Sequence, residues 1–194
     1  MSTRTPRVFS AAAIALLLAV GVGSAASAET AESSKDAAAA PWIDIPNART
    51  PLPGMLTGGQ PSREALEQAA AAGYGTIVNL RGAGEGDEGW NEAAEVEALG
   101  MRYVALPIAS ADDLDREKIL RLVALITDSE PQLMMVHCAS GNRVGALIAL
   151  AAAEAGTPPD AALRIGLDAG LTGLEPVIRE RLGLPAAAPP APER

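Results

Sequence analysis

The chain has 194 residues, with 24 acidic residues against 15 basic ones, a formal net charge of -9, one cysteine and one histidine. Such a balance lacks the basic face that nucleic acids and anionic lipids need for counterion release, so neither is expected as a partner. A single cysteine also excludes an internal disulfide, and core packing must hold the fold.

Residues 1–28 carry the three parts of a secretory signal peptide: Arg4 and Arg7, an apolar run from Ala11 to Val22, and Ala26-Ser27-Ala28 before Glu29. The run is shorter than the roughly 20 residues of a membrane span. The expectation is cleavage after Ala28, a periplasmic or secreted location, and no stable membrane insertion of the mature protein. Loss of the two arginines takes the net charge from -9 to -11. Any anionic ligand must then be attracted by a local site. Residues 29–44 are Ala/Ser/Glu-rich and read as a linker, residues 45–184 as one domain, and residues 185–194 as a Pro/Ala-rich tail.

Within the domain, Arg63 to Ala72 has helical character, with Ser62 to cap it and Gly73 to end it. Thr76 to Leu80 is an apolar run of strand length, followed by the Gly-rich stretch Arg81 to Gly89. Asn91 to Leu99 reads as a helix ended by Gly100, and Met101 to Leu106 as a strand. From Leu114 to Thr127, Ile119, Leu122, Val123 and Ile126 fall on one helical face. Leu133 to Val136 is another buried strand, and Val144, Leu147, Ile148 and Ala151 mark the helix that follows it. Two further helices are expected at Pro159 to Ala169 and Leu174 to Arg181. Strands alternating with helices across short connections predict an α/β fold, a single domain with a central, largely parallel sheet flanked by helices. Trp42 and Trp90 read as packing residues. Glu85, Asp87 and Glu88 have no histidine beside them and match no calcium loop, so no metal site is expected, and no cofactor.

The chemistry concentrates in His137-Cys138-Ala139-Ser140-Gly141-Asn142-Arg143, at the carboxyl end of a strand and on the turn into a helix. Open α/β sheets bind ligands there. Gly141 lets the backbone approach a ligand, and N–H groups from Ala139 onward can point into a concavity. A helix start and the Arg143 guanidinium both favour an anion and stabilise a thiolate on Cys138, while His137 can orient the loop or add partial charge. A small anionic or phosphorylated substrate is expected to contact Ala139, Ser140, Gly141, Asn142 and Arg143.

These residues resemble the site of the cysteine-dependent protein tyrosine and dual-specificity phosphatase superfamily. The nearest branch is the bacterial phosphatase-like domain known from beta-lactamase-hydrolase-like proteins. The resemblance runs from about Ile45 to Leu182 and includes Pro53 to Ser62 with Gln60, Thr76 to Arg81 followed by Glu85, and Gly100 to Ile108. It implies a phosphatase-like fold in which Cys138 is the nucleophile and Arg143 the phosphate clamp. Arg81 and Glu85 would support the site loop. The resemblance also implies a general acid after Ile108, with Asp112 and Asp113 as candidates and Asp115 as a weaker one. The same aspartates suit the cap and first turn of the following helix.

Two features depart from the family pattern. Only Ala139, Ser140, Gly141 and Asn142 separate Cys138 from Arg143, where most members have five residues. Val144 stands where a hydroxyl residue usually helps release the phosphorylated thiol. Rhodanese-type sulfurtransferases carry a similarly short loop with a persulfide-forming cysteine, which gives a second reading. A non-catalytic anion-binding module is a third.

Overall fold

The computed structural model describes residues 40–82, 84–86, 89–127 and 133–187. The expected signal peptide, most of the expected linker, Asp87, Glu88 and the end of the tail lie outside the described residues. Five strands form one sheet: β1 (Arg49–Leu52), β2 (Met55–Gly58), β3 (Tyr74–Asn79), β4 (Arg102–Ala105) and β5 (Leu133–His137), in the order β1-β2-β5-β3-β4. β1 pairs antiparallel with β2, and every other pairing is parallel. Among the described residues, six α-helices connect and cover them: α1 (Arg63–Ala71), α2 (Glu92–Ala98), α3 (Arg116–Thr127), α4 (Asn142–Glu154), α5 (Pro159–Asp168) and α6 (Glu175–Arg181). The expected elements are present within a residue or two. The short edge strand β1 was not foreseen, because it contains Pro51, a residue that a strand tolerates only at an edge or bulge.

The pleat divides the core in two. Met134 and Val136 of β5 face α3, α4 and α5, whereas Met135 between them faces α1 and α2. Val78 and Ile77 on β3 divide in the same way, as expected of a central strand buried on both sides. Each fully buried Leu, Ile or Val contributes about 1.5–3 kcal/mol of transfer free energy, and Leu56, Ile77, Val78 and Val136 are all wholly inaccessible.

Helix ends follow local chemistry. Ser62 Oγ accepts the Ala65 N–H at 3.2 Å and Asn91 Oδ1 that of Ala94 at 3.2 Å, and Gly73 and Gly100 take positive φ where these helices stop. α4 and α5 pack almost backbone to backbone: a Cβ on Gly145 would lie 2.1 Å from Leu171 N and 2.5 Å from Gly166 O.

Two sequence expectations need correction. Ala40 and Ile43, placed in the linker, are buried against α1 and the sheet, so the packed unit begins by residue 40. Trp42, read as a packing residue, is 61% exposed, because the alternating side chains of this segment turn Ile43 and Ile45 inward instead. Trp90 does pack, with Nε1 donating to Glu95 Oε2 at 2.6 Å and Arg63 over its ring. Among the described residues no helix is long and apolar enough to cross a membrane.

Candidate active site

β5 delivers Cys138 to the carboxyl end of the sheet, and α4 starts four residues later at Asn142. The thiol is 1% exposed; its own N–H donates to Gly58 O at 3.2 Å, and the Gly141 N–H donates to Sγ at 3.1 Å. Gly141 has φ +94 and caps α4 with no side-chain acceptor, so the opening N–H groups of this helix are not closed off by a cap. A bulkier residue would be strained at that φ.

Arg143, in the first turn of α4, is held by the Gly-rich loop. Its Nη1 donates to Glu85 Oε1 at 2.7 Å and to Ile108 O at 2.7 Å, and Nη2 donates to Glu85 Oε2 at 2.6 Å. Glu85 and Ile108 thereby engage three of five guanidinium hydrogens, and the Nε–H and second Nη2–H, on the edge able to chelate two oxygens, are not used by either. The hydrogen bonds from Arg143 bring the Glu85 carboxyl down to about 2 against the opposing effect of burial, helped by the Gly82 N–H and the charges of Arg143 and Arg81. Arg143 is shifted upward first by Glu85 and further by the nearby Cys138 sulfur. Arg81 supports from below: Nη1 bonds Gln60 Oε1, and Nε lies 4.0 Å from Glu85 Oε2.

His137 faces away from the thiol. Its wholly buried ring places Nε2 2.7 Å from Glu92 Oε1, off the line of a directed hydrogen bond, and Nδ1 has no partner among the described residues. Glu92 Oε2 accepts from Asn79 Nδ2 at 2.8 Å, which also donates to Tyr103 Oη at 2.9 Å. Sequence reading missed Glu92, Asn79 and Tyr103. The available signal was Asn79 at the end of an apolar strand and Glu92 directly after a capping asparagine.

The acid candidates separate. Asp113 Oδ2 accepts from the Ala109 and Ser110 N–H groups at 2.8 and 2.9 Å in a capping box around the 3-10 turn Ala111–Asp113, and these bonds hold it below the usual carboxylate range. Asp115 immediately precedes α3, with Oδ1 accepting the Lys118 N–H at 2.8 Å and Oδ2 meeting Lys118 Nζ at 2.6 Å. Asp112 is exposed, and its carboxylate makes no hydrogen bond among the described residues. Ala139 and Ser140 are exposed at the loop. Asn142 uses its side chain elsewhere: Oδ1 accepts from the Thr172 and Leu174 N–H groups at 2.8 and 3.2 Å and so ties down the α5–α6 connection, while its backbone stays part of the loop. Among the described residues no cluster of His, Cys, Asp and Glu is arranged to hold a metal.

The model of the family described as DSP-PTPase phosphatase fused to NAD+ kinase matches residues 50–157. The chain belongs to this family. It is therefore a member of the cysteine-dependent protein tyrosine and dual-specificity phosphatase superfamily, with the single α/β domain of those proteins. A candidate phosphatase of Neisseria meningitidis Z2491 is 25% identical, with TM-score 0.56, over 69% of this chain and 94% of that one. The active form of Tk-PTP is 20% identical, with TM-score 0.56, over 71% and 96%. A candidate phosphatase (DUF442) of Shewanella putrefaciens CN-32 is 20% identical, with TM-score 0.54, over 71% and 87%. None of the curated proteins matches the chain.

Proposed function

We propose that this family member hydrolyses phosphate monoesters through Cys138. The thiolate attacks phosphorus, an S–P bond forms, and the P–O bond to the leaving group breaks as Asp112 gives that oxygen a proton. Water, giving its proton to Asp112, then attacks phosphorus in the S-phosphorylated cysteine, a P–O bond forms, the S–P bond breaks, and phosphate leaves with the thiolate restored. The outer-edge hydrogens of Arg143 and the loop N–H groups hold the equatorial oxygens. The observation that carries this reading is the pairing of Gly141 N–H on Sγ with an Arg143 whose inner edge is fixed by Glu85. Asp112 is chosen over Asp113 because Asp113 is consumed by its own turn. The substrate is a small phosphorylated molecule, and residues 1–28 would direct the protein to the periplasm or the exterior.

The test is phosphate release from an aryl phosphate by reduced protein, lost in Cys138→Ser and in Arg143→Ala. The four-residue spacer and the buried Val144 favour a second reading, persulfide formation on Cys138 and sulfur transfer. Thiocyanate formed from thiosulfate and cyanide, with aryl phosphate untouched, would replace the first reading by the second. Activity in neither assay, with anion binding retained in Cys138→Ser, would point to a binding module.

A further inference from the structure

The residue that aims the Gly141 N–H at the sulfur lies outside the site loop. Ile45-Pro46-Asn47-Ala48 forms a turn in which the Ala48 N–H donates to Ile45 O at 3.2 Å, with Asn47 at φ +54. Proline second and a positive φ third define a type II turn, whose third position is cheapest for glycine and next for asparagine. Here the side chain is used: Asn47 Nδ2 donates to Ser140 O at 3.1 Å. The turn is seated firmly, since the Gly59 N–H donates to Pro46 O at 2.6 Å and a Cβ on Gly59 would lie 2.9 Å from Pro46 Cβ and 2.7 Å from Ala139 O.

Ser140 O and Gly141 N belong to one peptide unit. In a trans peptide the C=O and N–H point in opposite directions, so a donor that holds the oxygen outward holds the hydrogen inward. Inward from this peptide is Cys138 Sγ, at 3.1 Å from Gly141 N. Accepting a hydrogen bond at the oxygen also polarises the unit and strengthens the N–H as a donor. Gly141, at φ +94, is the residue whose backbone could most easily rotate if the oxygen were released.

We infer that Asn47 is a positioning residue for the nucleophile, orienting the Ser140–Gly141 peptide so that its N–H stabilises the thiolate and then the transferred group. The inference rests on Cys138 being the reactive atom, and it holds whether the group transferred is phosphoryl or sulfur. Because Cys138 is the only cysteine, its alkylation by iodoacetamide reads the sulfur directly without a substrate. Asn47→Gly keeps the turn and removes the donor; Asn47→Asp keeps the size and replaces the donor by an acceptor. Both variants should alkylate roughly tenfold more slowly than wild type at neutral pH, with thermal midpoints within a few degrees of it, since Asn47 is exposed. Aryl phosphate turnover should fall in kcat with little change in KM. Unchanged alkylation in Asn47→Gly, or slowing only in step with a large drop in thermal midpoint, would overturn the inference. Slowed alkylation in both variants beside a wild type that releases no phosphate would leave it standing and remove the phosphatase reading.

Discussion

His137 and Cys138 are consecutive in the chain and lie on opposite faces of the sheet. The imidazole packs against Glu92 of α2, while the thiol packs with Val136 against α4. Strand alternation compels this, since adjacent side chains leave a pleat in opposite directions. The histidine therefore meets the site only through the backbone it shares with Cys138. Glu92→Ala would take from Asn79 and the buried imidazole the carboxylate they both meet, leaving buried polar atoms unpartnered, and should cost about 1–3 kcal/mol in urea unfolding. A loss under about 1 kcal/mol would show the pair to be dispensable.

Glu85 is the inner partner of Arg143, and Glu85→Ala should release the guanidinium from its set orientation. Misplacing such a clamp lowers aryl phosphate turnover by about 10²-fold. Retained turnover would mean that Ile108 O alone orients the arginine.

The same carboxylate gives a pH signature. Its folded value of about 2 lies below the ordinary 4.5, so the stability it contributes is fully present above pH 4.5 and is lost as pH falls towards 2. Wild type and Glu85→Gln should accordingly differ most in stability near neutrality and converge across that acid window. Parallel acid-unfolding curves would contradict the assignment.

Asp112→Asn should lower turnover of substrates with poor leaving groups by about 10²-fold or more, the usual contribution of a general acid. Asp113→Asn should lower the thermal midpoint by loosening the 109–113 turn. Rates compared across leaving groups separate the two, because only loss of the acid steepens the dependence on leaving-group pKa.

Val144 is wholly buried beside the clamp, in the position where the family usually has a hydroxyl. Val144→Thr is nearly isosteric and should cost about 1–3 kcal/mol for the buried hydroxyl. If breakdown of the phosphorylated thiol limits the rate, turnover should rise and a presteady-state burst should shrink. Unchanged kinetics would place the slow step elsewhere.

Local patterns carried much of this protein. Cys138, Gly141 and Arg143 were legible because a strand-to-helix turn with those residues has few other uses, and α1 and α2 were bounded by Ser62, Asn91, Gly73 and Gly100. β1 escaped notice because Pro51 conceals an edge strand. The part played by Asn142 escaped because its partners, Thr172 and Leu174, come from a distant connection.

Periodicity and residues adjacent in the chain are enough to set the alternation of strands and helices, the loop, and its short spacer. Which side chains meet across the site depends instead on how the elements pack. Glu85 meets Arg143 across 58 positions, and Asn47 meets Ser140 across 93. Such pairings depend on sheet order and on the side of the pleat from which each side chain emerges.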